Sequence, residues 1–209
     1  MLMKARAKPT RMTSSQRRDQ ILDVAKNIVA KDGFLAVTMG RLAEEAGITR
    51  TLIYQQFGDL TGVFSALVER EFAEELAVYL RSTAMHPGGG VRQFVSVMAS
   101  LLKRVDANPA AWRLFLMPPE GSPAELYQRL QEARAMVHYY LAESLRSAMG
   151  EGKAVVLSDD VELGAQSVQA VAEQLLRLRL EAPDYYSHER LLQQVKTLSE
   201  LLFAAAQIN

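Results

Sequence analysis

Hydrogen-bonding side chains are concentrated in residues 49–56, and their types suit contacts with DNA. The set comprises Thr49, Arg50, Thr51, Tyr54, Gln55 and Gln56. An arginine can bond to both O6 and N7 of guanine, and a glutamine to both N6 and N7 of adenine, while a threonine methyl group can contact the thymine methyl. Tyrosine and threonine hydroxyls can instead donate to phosphates, which positions a protein without selecting a base sequence.

Two short helices joined by a turn would hold these side chains in place. Residues 37–57 contain two apolar patterns with helical spacing, each preceded by a threonine, Thr38 or Thr49, that is a good N-cap residue. Gly47 can adopt the left-handed conformation that ends a helix, so the pattern predicts a helix-turn-helix. The second helix would bury one face and turn the polar set outward; its apolar residues are Leu52, Ile53 and Phe57.

The start of the first of these helices also suits a phosphate. Thr38 and the free amide groups behind it offer donors at the positive end of a helix dipole. A surface hairpin in an all-helical protein would show the same caps and glycine turn, with Arg50 and the glutamines merely solvated. Residues 37–57 alone leave both interpretations open.

A longer segment, residues 15–63, resembles the DNA-binding domain of the tetracycline-repressor (TetR) family of transcriptional regulators. The resemblance rests on Gly33-Phe34, Thr38, Leu42-Ala43, Ala46-Gly47-Ile48, Leu52-Ile53-Tyr54 and Phe57. It implies that Thr38 and Tyr54 contact phosphates. It also implies that the remaining polar residues lie at or near the bases, namely Thr49, Arg50, Thr51, Gln55 and Gln56.

One position departs from the family pattern. Members often have a lysine three residues after the phenylalanine, at the start of the fourth helix, whereas this chain has Leu60. Loss of that basic residue would remove a phosphate contact. We therefore expect DNA binding to depend less steeply on salt than in relatives that keep the lysine.

Charge is distributed unevenly along a chain whose formal net charge is zero. Residues 1–60 carry a net charge of +4 and residues 61–209 a net charge of −4. Residues 1–14 are expected to form a disordered basic arm that contacts the DNA backbone. An organellar transit peptide and a merely solvated tail are alternatives. The basic residues of the first eighteen positions are Lys4, Arg6, Lys8, Arg11, Arg17 and Arg18.

Several classes of protein are disfavoured by composition. No apolar run approaches the ~20 residues that span a membrane, so we expect a soluble cytoplasmic protein. The chain contains no cysteine, and its histidines, His86, His138 and His188, show no ligand spacing. We find no cysteine nucleophile, no Gly-rich phosphate loop and no histidine–carboxylate pair at metal-binding spacing, and we expect neither enzymatic activity nor a metal or other cofactor.

The remaining pattern predicts an all-α fold of about nine helices. Residues 15–58 would form a three-helix head, and a long fourth helix capped by Asp59 would join it to a helical effector-binding and dimerisation domain, residues 59–209. A short apolar run at 154–157 is interpreted as an extended connector. The helices expected outside the helix-turn-helix and the fourth helix span residues 15–31, 91–106, 109–117, 123–149, 159–181 and 188–206.

The last two helices carry apolar stripes that repeat at spacings of four and three, and we expect these to form a homodimer interface. Both helices also have leucines off the stripes, which suggests a second buried face. Packing of both faces within one subunit is the alternative. The predicted interface residues are Val161, Ala165, Val168, Ala172, Leu175, Leu191, Val195, Leu198 and Leu202.

Aromatic residues and methionines of the middle helices suit an adaptable pocket for an apolar ligand, although such residues more often form core. The best candidates are Met98, Trp112, Phe115 and Tyr139. The family resemblance implies an effector pocket in this region but not its chemistry.

Together these features predict a ligand-responsive transcriptional regulator. We expect a repressor that binds a pseudo-palindromic double-stranded operator as a homodimer and is released by a small apolar or aromatic effector. Ligand binding between the fourth and eighth helices would shift the fourth helix and so weaken DNA binding. A helical protein–protein adaptor without sequence-specific DNA binding is the alternative, although it would not explain the polar row in residues 49–56.

Overall fold

The computed structural model describes residues 12–84, 90–118, 124–150 and 160–204. These ranges contain nine α-helices and one short 3-10 helix, and no β-strand, which confirms the predicted all-α fold. Two compact units are present, residues 1–63 and 64–209. Most of the proposed basic arm and the 154–157 connector lie outside the described residues.

The first unit, here called the head, begins with α1 (Ser14–Asp32). Thr13 caps this helix in a capping box, in which the Thr13 side chain accepts from the Gln16 backbone and the Gln16 side chain accepts from Thr13 N. Gly33 ends the helix with a φ of 83°, a region that favours glycine. The buried face of α1 consists of Ile21, Leu22, Ala25 and Ile28.

After a 3-10 turn (Phe34–Ala36) come α2 (Met39–Ala46) and α3 (Arg50–Phe57), which form the predicted helix-turn-helix. Gly47 is in the left-handed conformation at φ 64°, ψ 38°. Its amide donates to the Glu44 carbonyl and the Ile48 amide donates to the Ala43 carbonyl at 3.0 Å. This Schellman pairing satisfies the last carbonyls of α2 and fixes where α3 begins.

The fourth helix, α4 (Leu60–Ala84), starts where Asp59 was expected to cap it. Asp59 Oδ1 accepts from the Gly62 amide at 2.8 Å. The boundary between the two compact units falls within α4, after Val63.

The second unit, here called the body, comprises the rest of α4 and five further helices. They are α5 (Gly90–Ala107), α6 (Pro109–Leu116), α7 (Ala124–Gly150), α8 (Val161–Glu181) and α9 (His188–Ala204). Helix α5 packs on α8 and α9, while α8 also contacts α6 and α7. A buried cluster between them includes Met98, Leu102, Leu176 and Val195. None of the helices in the described ranges is long and apolar enough to cross a membrane.

The structure shows how the residues of the predicted dimer interface lie within one chain. Ala165, Leu175, Leu191 and Val195 are buried in their own chain, so they are not on the surface of the single subunit. Val161, Val168, Ala172 and Leu198 are half-buried, and the side chain of Leu202 lies outside the described residues. The stripes are thus mainly the inner faces of α8 and α9, which α5, α6 and α7 cover.

Candidate DNA-binding surface and body cavity

Helix α3 exposes one continuous polar face. Arg50, Thr51, Tyr54 and Gln55 are all exposed, whereas Ile53 on the opposite side is fully buried. At about 100° per residue these four positions cover an arc of roughly 140°. The arc is a hydrogen-bonding surface on a short helix that follows a tight turn, as the recognition helix of a helix-turn-helix requires.

The two threonines before the helices both act as N-caps. Thr38 Oγ1 accepts from the Arg41 amide at 3.1 Å, and Thr49 Oγ1 accepts from the Leu52 amide at 3.4 Å. Both residues are exposed. Because capping uses only the oxygen as an acceptor, each hydroxyl proton remains free to donate to a phosphate.

Gln56 lies apart from this polar arc. Its side-chain amide donates to Ser14 Oγ at 3.1 Å, and its backbone carbonyl accepts from Arg18 Nη1 at 2.9 Å. Arg18 also lies over the Phe57 ring, 4.4 Å from its centroid. Gln56 therefore ties α3 to α1, and it is the one predicted DNA-contacting residue that the structure directs into the head itself.

Two arginines near the start of α2 and α3 differ in their availability. Arg41 pairs with Asp32 and with Glu45, and the hydrogen bond from Arg41 lowers the pKa of the Asp32 carboxyl. Among the described residues Arg50 forms no ion pair, and its guanidinium lies beside Gly40. Arg50 is therefore the cation of this surface that can turn to DNA without breaking an existing pair.

The body contains a largely apolar cavity of about 190 Å³, lined by α4, α5, α6, α7 and α8. Three of the predicted pocket residues, Met98, Trp112 and Phe115, line it. Tyr139 does not, and its side chain is 61% exposed on α7. Helical periodicity could not distinguish the inner from the outer face here because α7 carries large apolar residues on both.

Polar residues that the sequence analysis did not single out also line the cavity. They are Glu75, Tyr79, Gln93, Arg134, Ser144, Gln169 and Glu173. Two pairs of these residues, Glu75 with Tyr79 and Gln169 with Glu173, are four positions apart on otherwise apolar helix faces. This spacing of polar residues is visible in the sequence and could have indicated a polar site in the cavity. Burial raises the pKa of Tyr79 to about 12, so its hydroxyl stays neutral at ordinary pH.

Several of these polar groups are connected to one another. Gln169 Nε2 donates to Glu173 Oε1 at 3.0 Å, and Arg134 pairs through Nη2 with the other oxygen of Glu173. Glu75 is held by Arg104 through two hydrogen bonds of 2.7 and 2.9 Å. Among the described residues, the buried Gln169 Oε1, Arg134 Nε and Trp112 Nε1 have no hydrogen-bond partner.

The head and the exposed face of α3 define a helix-turn-helix DNA-binding protein. The sequence model of the group described as "Bacterial regulatory proteins, tetR family" matches residues 21–67. Residues 21–67 thus carry the sequence pattern of the TetR-family DNA-binding domain, and the chain is similar to TetR-family transcriptional regulators.

Known proteins extend this similarity beyond the head. The HTH-type transcriptional regulator BetI of Rhizobium meliloti is 29% identical over 167 residues, covering 76% of this chain and 75% of BetI. AcrR of Shigella flexneri is 28% identical over 97 residues, which make up 46% of this chain. The match covers 45% of AcrR, so the chain spans about half the length of that relative. The crystal structure of Bacillus subtilis FadR in complex with stearoyl-CoA has the same fold, with a TM-score of 0.73, 16% identity and coverage of 89% and 97% of the two chains.

Proposed function

We propose that this regulator represses transcription by binding a pseudo-palindromic operator as a homodimer, and that a small apolar or aromatic molecule in the body cavity releases it. The observation that carries the proposal is the exposed polar arc of α3 beside a buried Ile53. An adaptor that binds only proteins would not need this arc, and the family whose model matches residues 21–67 is described as one of bacterial regulatory proteins.

In the proposed complex the polar arc enters the major groove. Arg50 and Gln55 would bond to base edges and Thr51 would contact a base or a thymine methyl. Thr38, Thr49 and Tyr54 would donate hydroxyl protons to phosphates on either side. Gln56 is left out of the base contacts because its amide is already bonded to Ser14.

A dimer is needed because one short helix contacts only a few base pairs. Two heads about 34–36 Å apart would reach successive major grooves of the operator. We place the subunit contact on the exposed side of α8, where Leu163 is 57% exposed and Val171 is 36% exposed. These two apolar residues replace the buried stripe residues as the centre of the proposed interface.

Control by a ligand is supported by the cavity and by its lining. Phe72, Glu75, Leu76 and Tyr79 of α4 line the cavity, and the same helix begins at Leu60, three residues after α3. The similar fold of FadR was solved with stearoyl-CoA bound. A ligand that displaces α4 would change how the heads engage DNA, and DNA must then weaken binding of that ligand by the same factor.

Substitution of Arg50 tests the DNA-binding role. Binding of the wild-type protein and of Arg50→Ala to DNA flanking its own gene would be measured by fluorescence anisotropy. Loss of a bidentate base contact should weaken specific binding roughly 5- to 150-fold, with a smaller loss on unrelated DNA. Arg129→Ala removes an equal charge from the exposed surface of α7 and should have little effect. Equal binding by wild type and Arg50→Ala would contradict the proposed role.

Sedimentation at micromolar concentration tests the dimer. We expect the wild-type protein to sediment as a dimer and Leu163→Glu to dissociate, because a charge would be placed in an apolar contact. Glu189→Gln on α9 changes an exposed charge elsewhere and should leave the dimer intact. A wild-type protein that sediments as a monomer would refute this part of the proposal.

A further inference from the structure

We propose that the body cavity selects an uncharged ligand about the size of one substituted ring, whose hydroxyl group bonds between Gln169 and Arg134. The inference rests on the proposed role of the cavity as the effector site and specifies the chemistry of its ligand. It follows from three features of the cavity, namely the neighbouring Gln169 and Arg134, which each have a buried atom without a partner among the described residues, the pairing of every charged residue in its lining, and its volume.

The first feature is the orientation of the Gln169 amide. Its nitrogen faces two acceptors, Glu173 Oε1 at 3.0 Å and the Arg134 carbonyl at 3.5 Å. Turning the amide over would place its oxygen against two other oxygens, with which it cannot form hydrogen bonds. The hydrogen bonds therefore determine which way the amide points. Gln169 Oε1 is consequently left buried as an acceptor that no described residue satisfies. Gln169 also lines the cavity, so a ligand that brings a donor to this atom would gain a hydrogen bond that an apolar ligand cannot form.

The second buried atom is a donor close to the same carboxylate. Arg134 uses Nη2 to pair with Glu173, which leaves its Nε–H buried and without an acceptor in the described part of the chain. Gln169 and Arg134 share Glu173 as a partner and so belong to one local cluster. A hydroxyl group can donate one hydrogen bond and accept another, and it is therefore the simplest group that satisfies both atoms.

The charged residues of the lining argue against an anionic ligand. Arg134 is the only cation among the described lining residues, and it pairs with Glu173, which Arg177 also contacts at 3.4 Å. The two carboxylates of the lining, Glu75 and Glu173, are themselves paired with arginines. A buried carboxylate or phosphate would thus enter a largely apolar space that already holds two carboxylates, and it would have to compete with Glu173 for Arg134, which is unfavourable.

The volume limits the ligand to a small molecule. An engineered cavity of roughly 150 Å³ in another protein accommodates benzene. The present cavity of about 190 Å³ leaves room for one ring with a short alkyl substituent. These limits and the two unpaired atoms together point to alkylphenols and compounds of similar shape.

Three probes of nearly equal size test the inference: 4-propylphenol, its methyl ether 4-propylanisole, and 4-propylbenzoate. Trp112 is the only tryptophan of the chain and lines the cavity, so its emission reports binding directly. We expect the phenol to bind roughly 2- to 10-fold more tightly than the ether, which cannot donate, and the benzoate to bind most weakly. Equal binding of phenol and ether, tighter binding of benzoate, or no response to any probe would overturn the inference.

A pair of matched variants assigns the preference to one atom. Gln169→Leu removes the acceptor and should abolish the preference for phenol over ether while apolar binding persists. Gln131→Leu makes the same change at an exposed position of α7 and should preserve the preference. If Gln169→Leu still binds the phenol more tightly than the ether, Gln169 is not the acceptor and the inference fails. The comparison of probes on the wild-type protein stands even if a variant does not fold.

Operator affinity measured with and without 4-propylphenol separates this inference from the proposed function. Phenol binding that leaves operator affinity unchanged would contradict regulation through the cavity, while the ligand chemistry would be upheld. Release of the operator by an anionic ligand that binds the cavity better than the phenol would contradict the ligand chemistry and uphold the regulation.

Discussion

The guanidinium of Arg50 lies against Gly40, so that a Cβ atom at position 40 would be 2.7 Å from Arg50 Nη2. The first residue of the recognition helix α3 thus reaches back over the first turn of α2. A glycine at position 40 leaves room for this arrangement. The residue at position 40 therefore influences where the Arg50 side chain rests, although position 40 need not contact DNA.

Gly40→Ala should alter DNA binding without unfolding the head. Only the end of a flexible side chain must move, and alanine favours a helix by up to about 1 kcal/mol relative to glycine. We expect the free energy of unfolding, measured in urea, to stay constant or rise slightly. Operator affinity should change because Arg50 is displaced. In an Arg50→Ala background the same substitution should have no further effect on operator affinity, and an undiminished effect there would contradict this explanation.

Gly62→Ala should destabilise the head. A Cβ atom at position 62 would lie 1.9 Å from the Phe57 carbonyl oxygen, which belongs to the backbone and cannot rotate away. The first turn of α4 must then move and weaken the 2.8 Å hydrogen bond between Gly62 N and Asp59 Oδ1. We expect the free energy of unfolding to fall by about 1–3 kcal/mol, as for overpacked cores.

Gly40→Ala serves as the matched control for Gly62→Ala, since the chemical change is identical and only the obstructing atoms differ. Equal unfolding midpoints for the two variants would show that the α3–α4 turn tolerates a side chain at position 62.

Arg18→Ala should loosen α3 from α1. Arg18 donates to the Gln56 carbonyl at 2.9 Å and its guanidinium lies over the Phe57 ring. We expect a loss of about 1–2 kcal/mol in the free energy of unfolding, since both a hydrogen bond and a cation–π contact disappear. The neighbouring Arg17→Ala removes only a bond to Gln20 within α1 and should cost a few tenths of a kcal/mol. A larger loss for Arg17→Ala would contradict this assignment.

The Asp106 carboxylate should contribute to the pH dependence of body stability. Arg179 donates to both of its oxygens at 2.8 Å, and this hydrogen bonding lowers the pKa of Asp106 below its ordinary value of 3.8. A lowered pKa stabilises the fold above the ordinary value, and the contribution is lost as pH falls through the lowered value. The melting temperature of Asp106→Asn should therefore lie below that of wild type near neutral pH and converge with it in acid. A constant difference at every pH would contradict the prediction.

Local signals were sufficient to predict most of the helices. Thr13 is not among the predicted caps, yet the predicted bounds of α1 lie within one residue of the observed ones, and Gly33 marks its C-terminal end. Thr38, Thr49 and Asp59 correctly predicted where α2, α3 and α4 begin, and Gly47 predicted where α2 ends. Each of these signals depends on hydrogen bonds between residues within about five positions of one another, so the neighbouring sequence contains the necessary information.

Side-chain surroundings were predicted less well. Two of the basic residues near the N-terminus, Arg17 and Arg18, lie on α1 and bond within the head. Tyr139 is exposed, and the stripe that includes Ala165 and Val195 is buried inside the subunit. A helical repeat shows that a face is apolar but does not show which neighbouring helix covers it.

The sequence by itself determined the all-α fold and the polar composition of the recognition helix, because capping residues, glycine turns and apolar spacing act over one or two helical turns. Only the tertiary structure decided that Arg50 rests on Gly40, that Gln56 bonds to Ser14, and that Gln169, which lines the cavity of the body, has a buried oxygen without a partner among the described residues. Those relationships join residues that are distant in sequence, and they depend on the packing of whole helices, which no local pattern specifies.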